Sequence, residues 1–241
     1  MEIVEGFQDS VDNDKNNLNR EFVGKVKIIL VDSPKKVYLC RRWAAAFVTL
    51  SQTLIGATNI IILFYVLSFK SEILTNLHIF LCTIGFQLLV PSGIFSFSYY
   101  NGSTIPMSEK EKKFEHIFLE TVGILCCILG STAIILETEF RLKTTVHAIT
   151  GVIASCLILL SVFTGTCTNG HGVSKRIMKC IHVVTGVFGF LASSLCFVLG
   201  LFRPSVEKWV PVSSVIPFLV IFCILYTTAV VLSPLKNCMK G

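Results

Sequence analysis

The chain has 241 residues, of which 53% are hydrophobic and only 15% are charged. A soluble domain is typically about 25% charged, so this composition excludes an ordinary soluble protein and indicates one that crosses a membrane several times. The net charge of +6 does not call for a nucleic-acid partner, because basic loops that face anionic membrane lipid account for it. Most of the ten cysteines lie inside apolar segments, and no paired C-x-x-C occurs, which argues against structural zinc.

The first 43 residues are polar and have no signal-peptide pattern. We therefore expect this leader to stay in the cytosol and the first apolar helix to act as an uncleaved anchor. The predicted organisation is a leader over residues 1–43, a membrane domain over residues 44–235 and a short cytosolic tail over residues 236–241.

Six apolar segments are long enough to cross a bilayer as helices, which takes roughly 20 residues each. They cover residues 44–69, 74–97, 116–137, 145–167, 180–202 and 212–233. The predicted fold is therefore an all-α membrane protein with six transmembrane helices.

The distribution of lysine and arginine predicts the orientation of these helices. With the amino terminus in the cytosol, 16 basic residues fall on the cytosolic side and five on the other. The positive-inside rule then places both termini in the cytosol. The sequon at Asn101 would also be cytosolic, where it would not be glycosylated.

Four successive apolar segments, the second to the fifth, each begin with a histidine. These residues are His78, His116, His147 and His182. Histidine is costly in hydrocarbon and is a common ligand of metals and haem iron, so the recurrence indicates a cofactor. The first and last segments contain no histidine, and we expect them to pack outside a four-helix bundle formed by helices 2–5.

Chain direction sorts the four histidines into two pairs. The second and fourth helices run inward, which places His78 and His147 near the outer face. The third and fifth run outward, which places His116 and His182 near the inner face. Helices two apart in an up-down bundle tend to be diagonal, so each pair can hold one flat cofactor between its members. Two haems, with irons roughly 15–20 Å apart, would form an electron relay across the bilayer.

Small residues follow the histidines at helical spacing. Seven residues after the four histidines the chain has Gly85, Gly123, Ala154 and Gly189. Two of the histidines are also followed by glycine four residues later, at Gly151 and Gly186, and 18 residues later, at Gly165 and Gly200. Residues seven apart share a helix face. We interpret the stripes as room for a macrocycle; the other interpretation is that small residues let membrane helices pack closely.

Four histidines on consecutive helices of a six-helix protein resemble the cytochrome b561 family. Residues 179–191 closely resemble that family's fifth-helix motif, including the basic residue three positions before His182, and residues 147–151 resemble its fourth-helix motif more loosely. The resemblance covers about residues 44–233. Residues 91–100 and 144–149 differ from the ascorbate-using members, so the chain looks more like the shorter, divergent domain-containing b561 reductases.

The resemblance implies a transmembrane reductase with two b-type haems per chain, held by His78 with His147 and by His116 with His182. It implies a cytosolic donor such as ascorbate, and a ferric chelate or monodehydroascorbate as the acceptor on the far side. It further implies homodimers in endoplasmic reticulum, vesicle or plasma membranes.

Basic side chains near the inner histidines are candidate contacts for an anionic donor or for haem propionates. They are Lys112, Lys113, Arg176 and Lys179, with Arg141 and Lys143 as outer counterparts. Glu120, four residues after His116, is a candidate proton partner or hydrogen-bonding group, or a structural carboxyl. His171 has no partner at matching depth and is interpreted as a loop residue.

Two other functions are compatible with the sequence. A divalent metal-ion transporter would use intramembrane histidines, although such sites usually add acidic ligands in one cluster. A membrane scaffold without cofactor would leave the four histidines unexplained.

Overall fold

The computed structural model describes residues 35–68, 71–98, 100–140, 144–167, 173–210, 212 and 214–238, all within one compact unit, Asp32–Gly241. Every regular element in these residues is a helix, and six of the helices are long and apolar enough to cross a membrane. The predicted all-α fold with six spans is confirmed. Most of the predicted leader lies outside the described residues, so its extent stays a prediction, as does that of the tail.

The six spans are numbered in chain order. The first is Lys35–Leu67, and the second is Ile73–Phe95, in which one π-helical turn, Gly85–Leu89, interrupts the α-helix. The third, fourth, fifth and sixth are Glu109–Glu137, Val146–Thr166, Val173–Leu201 and Val215–Cys238. Two short helices, Gly102–Thr104 and Pro204–Trp209, lie between spans.

Three helices begin well before the apolar segments that predicted them. The first begins at Lys35 rather than residue 44, the third at Glu109 rather than 116, and the fifth at Val173 rather than 180. Hydropathy detects only the part of a helix that lies in hydrocarbon, whereas the hydrogen-bonded helix extends into polar surroundings until a cap ends it.

The start of the third span is fixed by a capping box. The Ser108 hydroxyl accepts from the Glu111 amide at 3.4 Å, and the Glu111 carboxylate accepts from the Ser108 amide at 2.6 Å. Both contacts satisfy amides that have no partner within the helix. The serine and glutamate three residues apart are a sequence signal for this start.

We expect Ser108→Ala to lower the stability of the purified protein by about 1 kcal/mol, because the cap is lost. Thermal unfolding in detergent measures the effect. Ser108→Thr keeps a capping hydroxyl and serves as the control, and equal unfolding temperatures for the two variants would contradict the assigned cap.

The buried apolar core includes the outermost helices of the chain. Its largest cluster combines Val48 and Ile55 of the first span with Phe95, Phe190 and Tyr226 of the second, fifth and sixth. Of the six spans, the sixth has the largest buried share, 39% of the residues in its apolar stretch. The first and last spans thus pack their apolar faces on the second and fifth, which is consistent with their expected place outside the four-helix unit of spans 2–5 that carries the histidines.

The sequon asparagine is a structural residue. Asn101 is only 5% exposed, and its side-chain amide nitrogen donates to the Phe95 carbonyl at 3.2 Å. Its side-chain oxygen accepts from the amide and the hydroxyl of Ser103, so that Asn101 caps the short helix that follows. A glycan on this nitrogen would break its hydrogen bond to the Phe95 carbonyl, so the fold described here is that of the unglycosylated asparagine.

Candidate haem-binding sites

His78 of the second span and His147 of the fourth lie opposite each other, and we call them the first pair. Their ring centres are 6.3 Å apart and their planes are 88° apart. His147 is the second residue of the helix Val146–Thr166. The cap that starts this helix fixes the position of His147, because the Thr145 hydroxyl accepts from the Ala148 amide at 3.2 Å.

His116 of the third span and His182 of the fifth form the second pair in the same way. Their ring centres are 6.0 Å apart and their planes are 85° apart. The structure thus brings together the two pairs that chain direction predicts, each from helices two apart in sequence.

Each histidine donates a hydrogen bond from Nδ1 to a backbone carbonyl of another span. His78 donates to Gly130 at 3.0 Å, His116 to Gly93 at 3.0 Å, His147 to Cys196 at 2.9 Å and His182 to Ser161 at 2.8 Å. A carbonyl can only accept, so Nδ1 carries the proton and Nε2 keeps its lone pair for a metal. Second-shell bonds of this kind orient ligating histidines and fix their tautomer.

The spacing of the rings fits a metal ion between them. A metal–imidazole bond is roughly 2 Å long and the ring centre lies roughly 1 Å beyond the nitrogen, so two imidazoles on opposite sides of one ion have centres roughly 6 Å apart. The observed spacings are 6.3 and 6.0 Å. With the free Nε2 atoms, the four residues therefore fit two iron centres that each have two histidine ligands.

The carbonyl acceptors are functional groups that sequence reasoning misses. They are backbone atoms, so the side chains of Gly93, Gly130, Cys196 and Ser161 give no signal of the role. Only the packing of the second span on the third, and of the fourth on the fifth, places these carbonyls beside a histidine.

Side chains around the two pairs differ in chemistry. At the first pair, the thiols of Cys82 and Cys196 lie 3.5 and 3.4 Å from Nδ1 of His78 and His147. At the second, the Ser161 hydroxyl lies 3.1 Å from Nδ1 of His182.

The ring of His116 has two further neighbours. The Glu120 carboxylate lies 3.8 Å from Nδ1, and the Phe97 ring centre lies 5.3 Å from the imidazole centre. Glu120 thus lies beside His116, where the four-residue spacing predicts it, and its role stays a prediction.

The small residues seven positions after the histidines serve helix packing instead. A Cβ on Gly85 would lie 2.5 Å from the Gly123 carbonyl oxygen, and one on Gly189 would lie 2.9 Å from Ile158. These glycines therefore lie where the second span meets the third and where the fifth meets the fourth. Their interpretation as room for a macrocycle is wrong, because the neighbouring helix already fills that space.

Two glycines farther along do adjoin the histidine rings. A Cβ on Gly165 would lie 2.9 Å from Nδ1 of His182, and one on Gly200 would lie 3.4 Å from Cε1 of His147. Each lies 18 residues after the histidine of its own helix and adjoins the ring of the other pair. At each end of the bundle, a glycine of one of these two spans therefore lies against the histidine of the other.

The two pairs lie near opposite ends of the bundle. His116 belongs to the second pair and Gly130, on the same helix, contacts the first pair. The 14 residues between them correspond to about 21 Å of α-helix. This length is the rise along one helix between residues of the two pairs, and the predicted 15–20 Å between the irons stays a prediction.

The predicted basic contacts lie at the helix ends next to the second pair. Lys112 is paired with Glu109 at 3.2 Å, and Lys113, Arg176 and Lys179 are exposed. His171, Arg141 and Lys143 lie outside the described residues. Within the described part of the chain, no three His, Cys, Asp or Glu side chains group as a metal cluster.

Comparison with known proteins agrees with this geometry. A model of the eukaryotic cytochrome b561 family matches residues 77–207, more than half of the chain. The chain belongs to the cytochrome b561 family. The matched region contains all four histidines, and membership indicates a membrane protein that transfers electrons by means of haem.

A curated relative agrees with the family assignment. The chain is 26% identical over 184 residues to transmembrane reductase CYB561D2 of Mus musculus, which covers 71% of this chain and 80% of that protein. No solved structure matches the chain.

Proposed function

We propose that this cytochrome b561 protein is a transmembrane reductase with two b-type haems per chain, the first held by His78 and His147 and the second by His116 and His182. The observation that carries the proposal is the pairing of the rings about 6 Å apart with every Nδ1 bound to a carbonyl. The name of the mouse relative supports the reductase activity.

When bound, the haems supply one-electron carriers near the two ends of the bundle. His78 with His147, and His116 with His182, would each hold one haem, and two histidine ligands per iron would favour electron transfer over oxygen binding. The Nδ1 hydrogen bonds hold each imidazole in place, and the surrounding apolar spans exclude water. Little rearrangement of these side chains then accompanies reduction or oxidation.

The proposed substrates lie on opposite sides of the membrane. A cytosolic donor such as ascorbate loses one electron and one proton and becomes monodehydroascorbate. On the far side, a ferric chelate gains one electron and becomes ferrous, or monodehydroascorbate gains one electron and one proton. The orientation, with both termini cytosolic, follows the positive-inside rule. The organelle and a homodimeric state are implied only by the family resemblance.

We place the donor site at the cytosolic end of the second pair. The basic residues Lys113, Arg176 and Lys179 are exposed at the helix ends that carry His116 and His182. Exposed cations raise the local concentration of an anion such as ascorbate. Lys112, at the same helix end, is a further candidate contact, and its ammonium group lies 3.2 Å from the Glu109 carboxylate.

A reduced-minus-oxidised visible spectrum of the detergent-purified protein, with haem quantified per chain, tests the proposal. We expect two b-type haems per chain with low-spin bands, reducible by ascorbate. One haem per chain would contradict the two-pair arrangement. Absence of haem after expression with adequate haem supply would overturn the proposal and make metal analysis, for the transporter alternative, the next measurement.

Electron paramagnetic resonance of the oxidised protein gives a second readout. The imidazole planes are 88° and 85° apart in the two pairs. Two imidazoles that bound one haem iron with these nearly perpendicular planes would leave the iron orbitals close in energy, so we expect strongly anisotropic low-spin signals with a large maximum g value at both sites. Signals typical of parallel imidazoles would contradict the side-chain arrangement described here.

A further inference from the structure

The second span contributes to both histidine pairs. It carries His78 of the first pair, and its Gly93 carbonyl accepts from Nδ1 of His116 in the second pair at 3.0 Å. The 15 residues between them correspond to about 22 Å of α-helix. Any rotation or shift of one half of this span against the other therefore changes one pair relative to the other.

A π-helical turn, Gly85–Leu89, lies between these two positions. Such a turn holds one residue more than an α-turn, so it rotates the helix beyond it and loosens the local hydrogen bonding. It also frees a backbone acceptor: the Gln87 carbonyl accepts from the Asn59 side-chain amide of the first span at 3.3 Å. A break of this kind needs support from neighbouring helices to stay in one place.

The side chain of Gln87 supplies that support. It is 1% exposed, its oxygen accepts from the Tyr226 hydroxyl at 2.7 Å, and its nitrogen donates to the Ser193 carbonyl at 3.4 Å. Tyr226, in the sixth span, is fully buried. The first, second, fifth and sixth spans thus meet at one residue of the π-turn, and a buried hydrogen bond in a membrane has no water to replace it.

We propose that Gln87 and Tyr226 are positioning residues for both cofactor sites. Their hydrogen bond fixes the π-turn, and the fixed turn sets the orientation of His78 in one half of the span and of the Gly93 carbonyl, hence of the His116 ring, in the other. This inference rests on the proposed function. Neither residue is a ligand, so their effect reaches the histidines only through the helix.

The test compares Tyr226→Phe with Tyr65→Phe in the haem-loaded protein. Both changes remove one hydroxyl from a buried tyrosine, but Tyr65 bonds to Ser71, at 3.0 Å, which precedes the second span. Paramagnetic resonance of the oxidised protein and a redox titration report each site separately. For Tyr226→Phe we expect two haems per chain, with the maximum g value and the midpoint potential shifted at both sites. For Tyr65→Phe we expect the wild-type values.

The double variant Gln87→Met with Tyr226→Phe separates positioning from folding. Removing both polar partners avoids an unpaired buried amide, so this variant keeps its haem even where the single one folds poorly. Its signals should still be shifted at both sites. Wild-type signals in Tyr226→Phe, a shift at one site alone, or failure of both variants to fold would each overturn the positioning role. A wild-type protein without haem would instead overturn the proposed function.

Discussion

Replacing His182 with alanine is expected to lower the haem content from two per chain to one. His182 provides one of the two imidazoles of the second pair, and its ring faces His116 at 6.0 Å between centres. Without it, one side of that iron has no protein ligand and affinity for haem is lost. The first pair shares no residue with the second, so His78 and His147 are expected to keep their haem. Haem quantification together with paramagnetic resonance measures the loss and shows which low-spin signal disappears.

The reciprocal variant His147→Ala serves as the control for this experiment. It should remove the other signal and leave the one that His182→Ala eliminates. Ascorbate should then still reduce the remaining haem in His147→Ala, because the cytosolic site is intact, but not the remaining haem in His182→Ala. Loss of both haems in either variant would show instead that the bundle collapses when one site is empty.

Gly165→Ala is expected to weaken haem binding at the second pair by roughly 10- to 100-fold, the usual cost of disturbing the groups that orient a metal ligand. The added Cβ would lie 2.9 Å from Nδ1 of His182. The imidazole has to move away, which lengthens the 2.8 Å hydrogen bond from Nδ1 to the Ser161 carbonyl. Haem titration of the variant, followed by the low-spin signal of the second pair, measures the affinity.

Gly200→Ala is the matched control, because it makes the same change at the other end of the bundle. Its Cβ would lie 3.4 Å from Cε1 of His147, an ordinary van der Waals contact. Both substitutions replace a helical glycine and so gain the same helix propensity, which leaves the steric contact as the difference. Equal haem affinities at the two sites in the two variants would contradict the assigned packing of Gly165 on His182.

Much of the architecture could be predicted from local composition. Hydropathy places all six spans, since the absence of water in hydrocarbon requires long apolar helices with their backbone hydrogen bonds satisfied internally. The direction of each helix then sorts His78 with His147 and His116 with His182, because a histidine near the start of a helix lies near the membrane face from which that helix enters the bilayer. The capping signal at Ser108 was also present in the sequence, but hydropathy alone places the start of that helix too late.

The packing of the helices could not be predicted in this way. The glycines seven residues after the histidines share a face with them, yet Gly85 and Gly189 contact a neighbouring helix. A stripe of small residues says that something approaches the backbone closely without saying whether it is a helix or a cofactor. The burial of Tyr226 in the sixth span likewise has no local signal, because every apolar span offers several faces that could be buried.

The sequence by itself determined the number of spans, the four histidines and their division into two pairs, since these depend on hydrophobicity and chain direction. Tertiary structure alone decided which carbonyl accepts from each Nδ1, which glycines adjoin the imidazoles, and where the π-turn of the second span is held. The physical reason is that each of these depends on the rotation of one helix against another. That rotation is set by close contacts between residues far apart in the chain, and one helix's own periodicity does not specify it.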